Sequence, residues 1–316
     1  MSTLSPPASW PSGARDVYTA LQTYRIVGAS ACTAAIVEAL TALAADVAGR
    51  PGGHVYQELS AAGSLFCALK PNTAAYANVV HLLLRGLDTV SAAPSALAAT
   101  VAQRGDAFSR YSTASVQQIA AMEANLLVAH SGVLVHDYSS TILAVLAEAG
   151  RRDKDLMVFV TAGQPVDQGP KVARAVASYG HRVTYLPDAA IGRVITSVDV
   201  VLGGVETLFQ NGDLANTVGT FPIALVARDA GVPFYGVTER IKIHPTATTV
   251  SVAELTAQVL HGWPPPQVEL PPHTRTCPEV LDLTPARLVT SYVTEVGLVA
   301  PSQVAAALQD LWSRLA

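Results

Sequence analysis

Residues 132–161 read GVLVHDYSSTILAVLAEAGRRDKDLMVFVT, an apolar run, a stretch with helical spacing and a second apolar run in succession. The same alternation continues to about residue 237. Further β-rich runs lie at 182–186, 198–202 and 233–237, and helical stretches lie at 140–149, 171–178, 189–196 and 221–229. Strands and helices that alternate at such intervals predict a doubly wound parallel sheet, and strands this apolar indicate helices on both of its faces.

The chain before residue 130 has a different character. Apolar residues recur at helical spacing over 17–23, 33–47, 56–69, 75–87 and 116–127, and no convincing strand is present. A Pro-rich stretch (263–278), a strand (288–293) and a helix (302–315) follow the alternating region. The sequence therefore predicts an α/β protein with a flexible arm (1–13), a helical N-terminal domain (14–128) and a ligand-binding domain (129–316).

Composition restricts the classes of partner. Half of the 316 residues are hydrophobic, only 14% are charged, and the net charge is −4. Such a chain can bury a large core, and it has no basic field to hold nucleic acid or an anionic membrane. The longest apolar candidate, residues 26–49, is interrupted by Glu38 and Asp46. Because a spanning helix needs about 20 consecutive apolar residues, we predict a buried helix there and no membrane partner.

Cysteine usage and motif absences limit the chemistry further. Cys32, Cys67 and Cys277 lie far apart and are odd in number, which argues against a disulfide framework and favours a cytoplasmic protein. The N-terminus lacks the basic and apolar regions of a signal peptide. No phosphate loop, dinucleotide fingerprint, zinc-protease motif or hydrolase elbow occurs, and the eight histidines show no metal spacing. We therefore predict no metal and no cofactor.

Polar residues cluster where the predicted strands end. In open α/β sheets, ligands bind in the crevice beyond the carboxyl ends of the strands. Asp137 and Glu206 follow the first and fourth predicted strands, and we predict a functional role for both because an unpaired buried carboxylate is costly. Ser139, Asp188 and Thr220 are better explained as helix-capping or turn residues.

Two loops could hold an anion. Residues 211–213 (NGD) and 216–220 (NTVGT) are predicted to open a helix, and backbone amides at a helix start form an anion-ready nest. A second candidate nest is Gly28-Ala29-Ser30. From its chemistry alone, the first pattern is better explained as an ordinary loop with an Asn-Gly turn, and the second nest is equally weak evidence by itself.

These segments, in this order, resemble the family that contains methylthioribose-1-phosphate isomerase, archaeal ribose-1,5-bisphosphate isomerase and the regulatory subunits of eukaryotic translation initiation factor 2B. Residues 201–220 resemble its G-A-[DE]…N-G-x-x-x-N-K-I-G-T signature, and the likeness extends from about residue 15 to 302. Its other carriers are RIVGA (25–29), KPNTA (70–74), TAGQPVDQG (161–169), PDAA (187–190), ERIKIHP (239–245), DLTP (282–285) and TEVG (294–297). The resemblance implies a helical domain followed by a Rossmann-like domain, and a homodimer.

The resemblance also assigns roles, from which this chain departs. The family's isomerases move a carbonyl between C1 and C2 of a phosphorylated ribose with a Cys and an Asp, whose positions hold Asp137 and Glu206 here. Four charged positions of the family are neutral: Val27 and Gln164 replace Arg, Thr217 replaces Lys and Ala162 replaces Glu. The substrate-binding residues implied or predicted are Gly28, Ala29, Ser30, Lys70, Gln164, Asn211, Gly212, Asn216, Thr217 and Lys242.

Two hypotheses follow for the function. In the first, Asp137 and Glu206 form a carboxylate pair that shuttles a proton between C1 and C2 of a phosphorylated pentose or related sugar-like metabolite, with one carboxyl kept protonated. The lost positive charges indicate a ligand with less negative charge than a bisphosphate. In the second, the chain is a non-catalytic ligand-binding or regulatory protein, as the initiation-factor subunits are. Those subunits retain the Lys that is Thr217 here, so we favour the isomerase.

Overall fold

A computed structural model describes residues 5–89, 92–251, 255, 268–277 and 279–314. The chain divides into two compact units. The N-terminal unit comprises Met1–Ala114 and Leu311–Ala316, and the C-terminal unit comprises Ser115–Asp310. The domain boundary predicted near residue 128 remains a prediction. Helix α5 (Pro94–Leu126) contributes residues to both units.

The described part of the N-terminal unit is helical, as the sequence predicts. Apolar residues at helical spacing give each helix a buried face. Its helices are α1 (Ser12–Gln22), α2 (Ala29–Ala48), α3 (Val55–Leu69), α4 (Ala74–Leu84) and the first part of α5. The first part of α5, residues 94–115, was not predicted as a helix, because it carries many polar side chains and shows a weak apolar stripe.

The segment predicted as a flexible arm is anchored at its C-terminal end. The Trp10 ring is buried and stacks on Phe66, with 5.6 Å between ring centroids, and its edge meets Tyr18 at 6.1 Å. Aromatic pairs at such distances add to the free energy that burial alone provides. The arm prediction is therefore wrong for Trp10, while residues 1–4 lie outside the described residues.

Helix α2 is more apolar than we predicted from the sequence. It is 20 residues long with a mean hydropathy of 1.6 in its most apolar window, so by length and composition alone it could cross a membrane. The core helix of a globular unit passes the same test, and 56% of that window is buried within the protein. The sequence predicts no stretch that is long and apolar enough to span a membrane, and α2 corrects this prediction by its length and composition. The prediction of a buried helix agrees with the burial of α2.

The C-terminal unit is built on a seven-stranded sheet in its described residues. The strands are β1 (Gly132–His136), β2 (Met157–Thr161), β3 (Arg182–Leu186), β4 (Val200–Gly204), β7 (Phe234–Val237), β9 (Ser291–Thr294) and β10 (Gly297–Val299). Their order in the sheet is β10-β9-β7-β4-β1-β2-β3, and every neighbouring pair is parallel except β9 and β10. The predicted α/β class with a largely parallel sheet is confirmed.

Among the described residues, four helices lie between these strands in the chain, and a fifth, α10, follows the last strand. They are α6 (Ser140–Arg151), α7 (Gly169–Ser178), α8 (Ile191–Val194), α9 (Thr220–Asp229) and α10 (Val304–Arg314). The apolar faces of α6 and α7 and the end of α5 pack on β1, β2 and β4 in one core cluster. The predicted helix 189–196 is broken into a short α-helix flanked by 3-10 turns.

A second sheet was not predicted. Strands β5 (Thr207–Leu208), β6 (Leu214–Thr217) and β8 (Leu281–Thr284) pair antiparallel in the order β5-β6-β8. Residues 211–213, predicted to open a helix, lie in the turn between β5 and β6, and α9 begins only at Thr220. Strands of two to four residues are too short to give a periodic signal.

The C-terminal segment differs from its prediction in one strand. The strand expected at 288–293 is a 3-10 turn at Ala286–Leu288 followed by β9, because Pro285 precedes the turn. Of the Pro-rich stretch 263–278, the described residues 268–277 have no regular structure, and residues 263–267 and 278 lie outside the described set.

Candidate functional site

The strand order of the large sheet defines where a ligand would bind. Among the parallel strands, the chain first forms β1, β2 and β3 in adjacent positions toward one edge of the sheet. It then forms β4, β7 and β9 in adjacent positions toward the other edge. Ligand crevices of open α/β sheets lie where this direction reverses, beyond the carboxyl ends of the two central strands. Here those strands are β1 and β4. Asp137 directly follows β1, and Glu206 is the second residue after β4.

Asp137 turns the chain as it leaves β1. Its backbone is left-handed, with φ of 59°, a region that Asp tolerates better than most residues. The Thr217 hydroxyl on β6 donates a hydrogen bond to Oδ2 of Asp137, while Oδ1 is buried without a hydrogen-bond partner. A Cβ on Gly163, after β2, would lie 3.6 Å from this Oδ1, so the loop backbone closes in on the carboxyl.

The surroundings of Asp137 favour its protonated form. Burial raises the pKa of Asp137 and is the largest cause, and the nearby Glu206 charge raises it further. The hydrogen bonds from Thr217 and from the Tyr138 backbone, with the nearby His136, act in the opposite direction. Asp137 therefore holds its proton more readily than a solvent-exposed aspartic acid does.

The His136 side chain, next to Asp137 in the chain, links three segments of the protein. Its Nε2 lies 2.9 Å from the Val218 carbonyl, which can only accept, so Nε2 donates in that bond. Its Nδ1 lies 2.7 Å from the Thr161 hydroxyl at the end of β2 and 3.8 Å from Asp188 Oδ1. The buried imidazole thus ties the end of β1 to the end of β2 and to the loop before α9.

Asp188 holds the loop that follows β2. Its two carboxylate oxygens accept from the backbone amides of Gly163 and Gln164, at 2.8 Å each. The turn role expected for Asp188 is consistent with these bonds. The exposed Gln164 side chain donates to Asp167 Oδ1 at 2.9 Å within the same loop.

Asp282 on β8 is a site residue that the sequence reasoning missed. Its Oδ2 accepts from the Gly219 amide at 2.8 Å and from the Phe221 amide at 3.0 Å, at the N-terminus of α9, while Oδ1 is buried without a partner. Burial raises the pKa of Asp282 to about 6. More than 60 residues separate this carboxyl from α9, so only the pairing of β6 with β8 reveals it.

The polar residues between β6 and α9 form a chain of hydrogen bonds. Asn216 Nδ2 donates to the Thr220 hydroxyl at 3.0 Å, and that hydroxyl donates to the Thr217 carbonyl at 2.7 Å. The structural role expected for Thr220 agrees with these bonds. Ser139 caps α6 as expected, since its Oγ accepts from the Ile142 amide at 3.3 Å.

The basic residues after β7 have internal partners. Lys242 is 5% exposed, and its ammonium lies 3.0 Å from Glu239 Oε2. Arg240 is buried too and pairs with Glu295 and Asp310, at 2.8 and 2.6 Å. His244 accepts from the Ala247 amide at 2.8 Å, and burial lowers its pKa.

The predicted residues Asn211 and Gly212 belong to the β5–β6 turn. Asn211 Oδ1 accepts from the Asp213 amide at 2.9 Å, and its Nδ2 donates to Asp213 Oδ2 at 2.7 Å. The Gly212 carbonyl accepts from the Tyr292 hydroxyl at 2.6 Å. These contacts explain Asn-Gly-Asp as a turn, the alternative that the sequence left open.

The remaining predicted residues lie in the N-terminal unit. Gly28, with φ of 85°, precedes α2, and Ala29 and Ser30 are its first residues, so the predicted nest is at a helix start. Lys70 is the residue that follows the last residue of α3, and its ammonium lies 5.3 Å from the centroid of the Tyr24 ring.

The described residues contain no group of three or more His, Cys, Asp or Glu side chains placed to hold a metal ion. Within them, the three cysteines are free thiols. The carboxyl groups that follow the central strands can accept, donate and hold protons.

A helical unit followed by a doubly wound sheet, with an acidic residue after each of the two central strands, defines a Rossmann-like class of protein with a carboxylate-lined crevice. The chain belongs to the initiation factor 2 subunit family, whose model matches residues 25–301. The family recognised from the sequence is thereby confirmed.

Relatives in this family have two kinds of name. The chain is 27% identical over 291 residues to ribose 1,5-bisphosphate isomerase of Methanocaldococcus jannaschii, covering 91% of each chain. It is also 28% identical over 217 residues to translation initiation factor eIF2B subunit alpha of Dictyostelium discoideum, covering 66% of this chain and 68% of that one.

Solved structures share the fold. A Pyrococcus horikoshii translation initiation factor eIF-2B superposes with a TM-score of 0.77 at 21% identity, over 93% of this chain and 98% of that one. The 5-methylthioribose 1-phosphate isomerase of the same organism gives a TM-score of 0.72 at 18% identity, over 95% and 88%. At these identities the likeness establishes the fold alone.

Proposed function

We propose that this protein is an intramolecular aldose–ketose isomerase that acts on a phosphorylated pentose or a related sugar-like metabolite. The observation that carries the proposal is the buried Asp137 carboxyl beside Glu206 at the topological reversal of the sheet. Two interacting carboxyls with different surroundings are the arrangement that lets one act as an acid and the other as a base.

Each carboxyl has a distinct part in the proposed reaction. Glu206, as the carboxylate, removes a proton from the carbon next to the substrate carbonyl. Asp137, as the neutral acid, protonates the carbonyl oxygen and so stabilises the enediol. Glu206 then returns its proton to C1 while Asp137 takes the proton of the C2 hydroxyl, so that the carbonyl moves from C1 to C2 and both carboxyls regain their starting forms. The Thr217 hydroxyl on Oδ2 of Asp137 leaves Oδ1 to carry the reacting proton.

The comparisons support the reaction class but not the identity of the acid and base. Relatives covering most of the chain are named ribose 1,5-bisphosphate isomerase, and a fold neighbour is named 5-methylthioribose 1-phosphate isomerase. The proposal transfers their class of reaction, with a carboxyl at position 137 in place of the family's thiol.

A non-catalytic ligand-binding or regulatory role is the second candidate. The observation that favours it is that Thr217 and Lys242, two predicted ligand contacts, are engaged with Asp137 and Glu239. A protein of this kind would bind a metabolite and leave its carbon-bound protons in place, so proton exchange separates the two candidates.

We expect Glu206→Gln to lower kcat at least about 100-fold, because a positioned general base contributes about 10² to 10⁴-fold. Asp137→Asn should lower kcat comparably, because the amide cannot donate a proton to the carbonyl. The measurement is conversion of each member of a pentose phosphate panel, followed by NMR.

Asp229→Asn is the matched control for these two variants. Asp229 is exposed at the end of α9, so its amide should leave kcat unchanged. Unfolding in urea checks that all three variants keep their structure. Turnover by folded Glu206→Gln at the wild-type rate would contradict the assignment of the base.

The other sequence-based expectations are part of the proposal. A homodimer and a cytoplasmic location rest on the family resemblance and on the free cysteines. Sedimentation equilibrium tests the dimer, and a mass equal to that of the 32.9 kDa chain would contradict it.

A further inference from the structure

Two adjacent hydrogen bonds join the end of β1 to the end of β6. His136 Nε2 donates to the Val218 carbonyl, with 2.9 Å between the two atoms. The next residue of the chain, Asp137, accepts at Oδ2 from the hydroxyl of Thr217, the residue before Val218. The Asp137 carboxyl is therefore held by a bond of its own and by the bond that its neighbour makes.

Thr217 is itself fixed in the protein. It is the last residue of β6 and lies opposite Leu281 of β8. Its carbonyl accepts from the Thr220 hydroxyl at 2.7 Å, and the Val218 amide donates to the Val280 carbonyl at 2.8 Å. A β-branched side chain also has few rotamers to choose from. The Thr217 hydroxyl is therefore a preorganised donor and not a mobile contact.

The bond from Thr217 distinguishes the two oxygens of the Asp137 carboxyl. A hydroxyl that donates to Oδ2 makes this oxygen an acceptor, so the proton of neutral Asp137 is on Oδ1. Without the hydroxyl the two oxygens would be equivalent, and the proton could point away from the reacting carbonyl. A general acid contributes to the rate only when its proton is within reach of the reacting atom.

The same bond has a limited effect on the charge of Asp137. Burial raises the pKa of Asp137, and the bond from Thr217 lowers it. A neutral hydroxyl favours the carboxylate less than an ammonium in its place would, because the ammonium adds a full positive charge. A hydroxyl can therefore orient the carboxyl and still leave it able to hold a proton.

We propose that Thr217 is a positioning residue, whose hydroxyl on Oδ2 fixes the orientation of the Asp137 carboxyl and keeps the proton on Oδ1. Thr217 was predicted to bind the substrate, and in this inference it acts through Asp137 instead. The inference rests on the proposed function for the catalytic part of Asp137. The coupling of the Thr217 hydroxyl to the carboxyl can be measured without turnover.

The first test titrates the Asp137 carboxyl in the full chain by ¹³C NMR of labelled aspartate, with Asp137→Asn to assign its signal. Thr217→Val replaces the hydroxyl with a methyl group of similar size, and we expect the pKa of Asp137 to rise by about one pH unit, as a carboxylate that loses a hydrogen bond should. Thr217→Ser keeps the hydroxyl and should restore the pKa of the wild type. If Thr217→Val does not fold, Thr217→Ala also lacks the hydroxyl and takes its place.

Thr284→Val is the matched control. Thr284 is buried in the same small sheet, on β8, and its hydroxyl has no hydrogen-bond partner among the described residues. The same exchange of hydroxyl for methyl should therefore leave the pKa of Asp137 unchanged. An unchanged pKa in folded Thr217→Val, or an equal rise in Thr284→Val, would overturn the inference.

The second test uses turnover of a pentose phosphate. We expect Thr217→Val to lower kcat about tenfold with KM changed by less than about twofold, and Thr217→Ser to recover most of the loss. The alkaline limit of kcat should move to higher pH in Thr217→Val, because an acid with a raised pKa stays protonated longer. A tenfold rise in KM at unchanged kcat would make Thr217 a substrate contact and overturn the inference. If the wild type turns over no pentose derivative, the isomerase is rejected, and the NMR titration still decides whether Thr217 holds Asp137.

Discussion

Buried carboxyls in this protein differ in what surrounds them. Asp137 accepts from a hydroxyl beside a second acidic group, and Asp282 accepts from two backbone amides at a helix start. A third, Glu123 in α5, lies 1% exposed with Oε2 lacking any hydrogen-bond partner. The first two accept hydrogen bonds from the protein, and burial is the cause of the pKa shift of the third.

Glu123 should make stability depend on pH. Burial raises its pKa to about 7, from an ordinary value of 4.5, so the folded state prefers the protonated form. The stability that this gives is complete below pH 4.5 and is lost as the pH rises through 7. We expect Glu123→Gln to be more stable than wild type at pH 8, by about 3 kcal/mol, and nearly equal to it at pH 5.

Urea unfolding at both pH values measures this effect. Glu38→Gln is the control, because Glu38 is an exposed glutamate in a helix of the other unit and its amide should change little at either pH. Glu123→Gln that is less stable than wild type at pH 8 would contradict a buried, unpaired Glu123 carboxylate.

Some residues of the candidate site were predictable and others were not. Asp137 and Glu206 could be proposed because each directly follows an apolar run, which locates it at a strand end. Asp282 and the Thr217–Asp137 bond could not, because they depend on contacts between segments that are 63 and 80 residues apart in the sequence. Nothing local in a sequence specifies such a pairing.

At the scale of elements, the junction between β6 and α9 depends on one glycine. Gly219 has φ of 110°, and a Cβ there would lie 2.7 Å from two atoms of the His136 ring. We expect Gly219→Ala to destabilise the protein by at least about 2 kcal/mol, since backbone strain and a clash with a held imidazole act together.

Gly231→Ala separates the two causes. Gly231 also has positive φ, 71°, but a Cβ there would meet nothing within 4 Å, so only strain applies. Urea unfolding should therefore show the larger loss for Gly219→Ala. Equal losses for the two variants would contradict the close approach of His136 to Gly219.

The elements that sequence periodicity predicted are those that bury a long apolar face. Strands β1 and β3 have the predicted bounds, and α2, α3 and α4 are found close to where they were predicted. The small antiparallel sheet was missed because its strands are brief and because β8 joins from far along the chain. The missed sheet carries Thr217 and Asp282, and thus half of the candidate site.

At the scale of the whole molecule, the architecture and the family are established, and the chemistry is the proposal. The direction of the sheet reverses between β1 and β4, and Asp137 and Glu206 follow these two strands. The central claim is that these two carboxyls move a proton between adjacent carbons of a sugar.

Exchange of carbon-bound protons with solvent tests this claim most directly. The wild-type protein is incubated in D₂O with pentose monophosphates, bisphosphates and free pentoses, and deuterium at C1 and C2 is measured by NMR and mass spectrometry. We expect deuterium at one of these carbons in at least one ligand that stabilises the protein, and its loss in Glu206→Gln. Ligands that bind but acquire no deuterium would contradict the account and favour a binding protein.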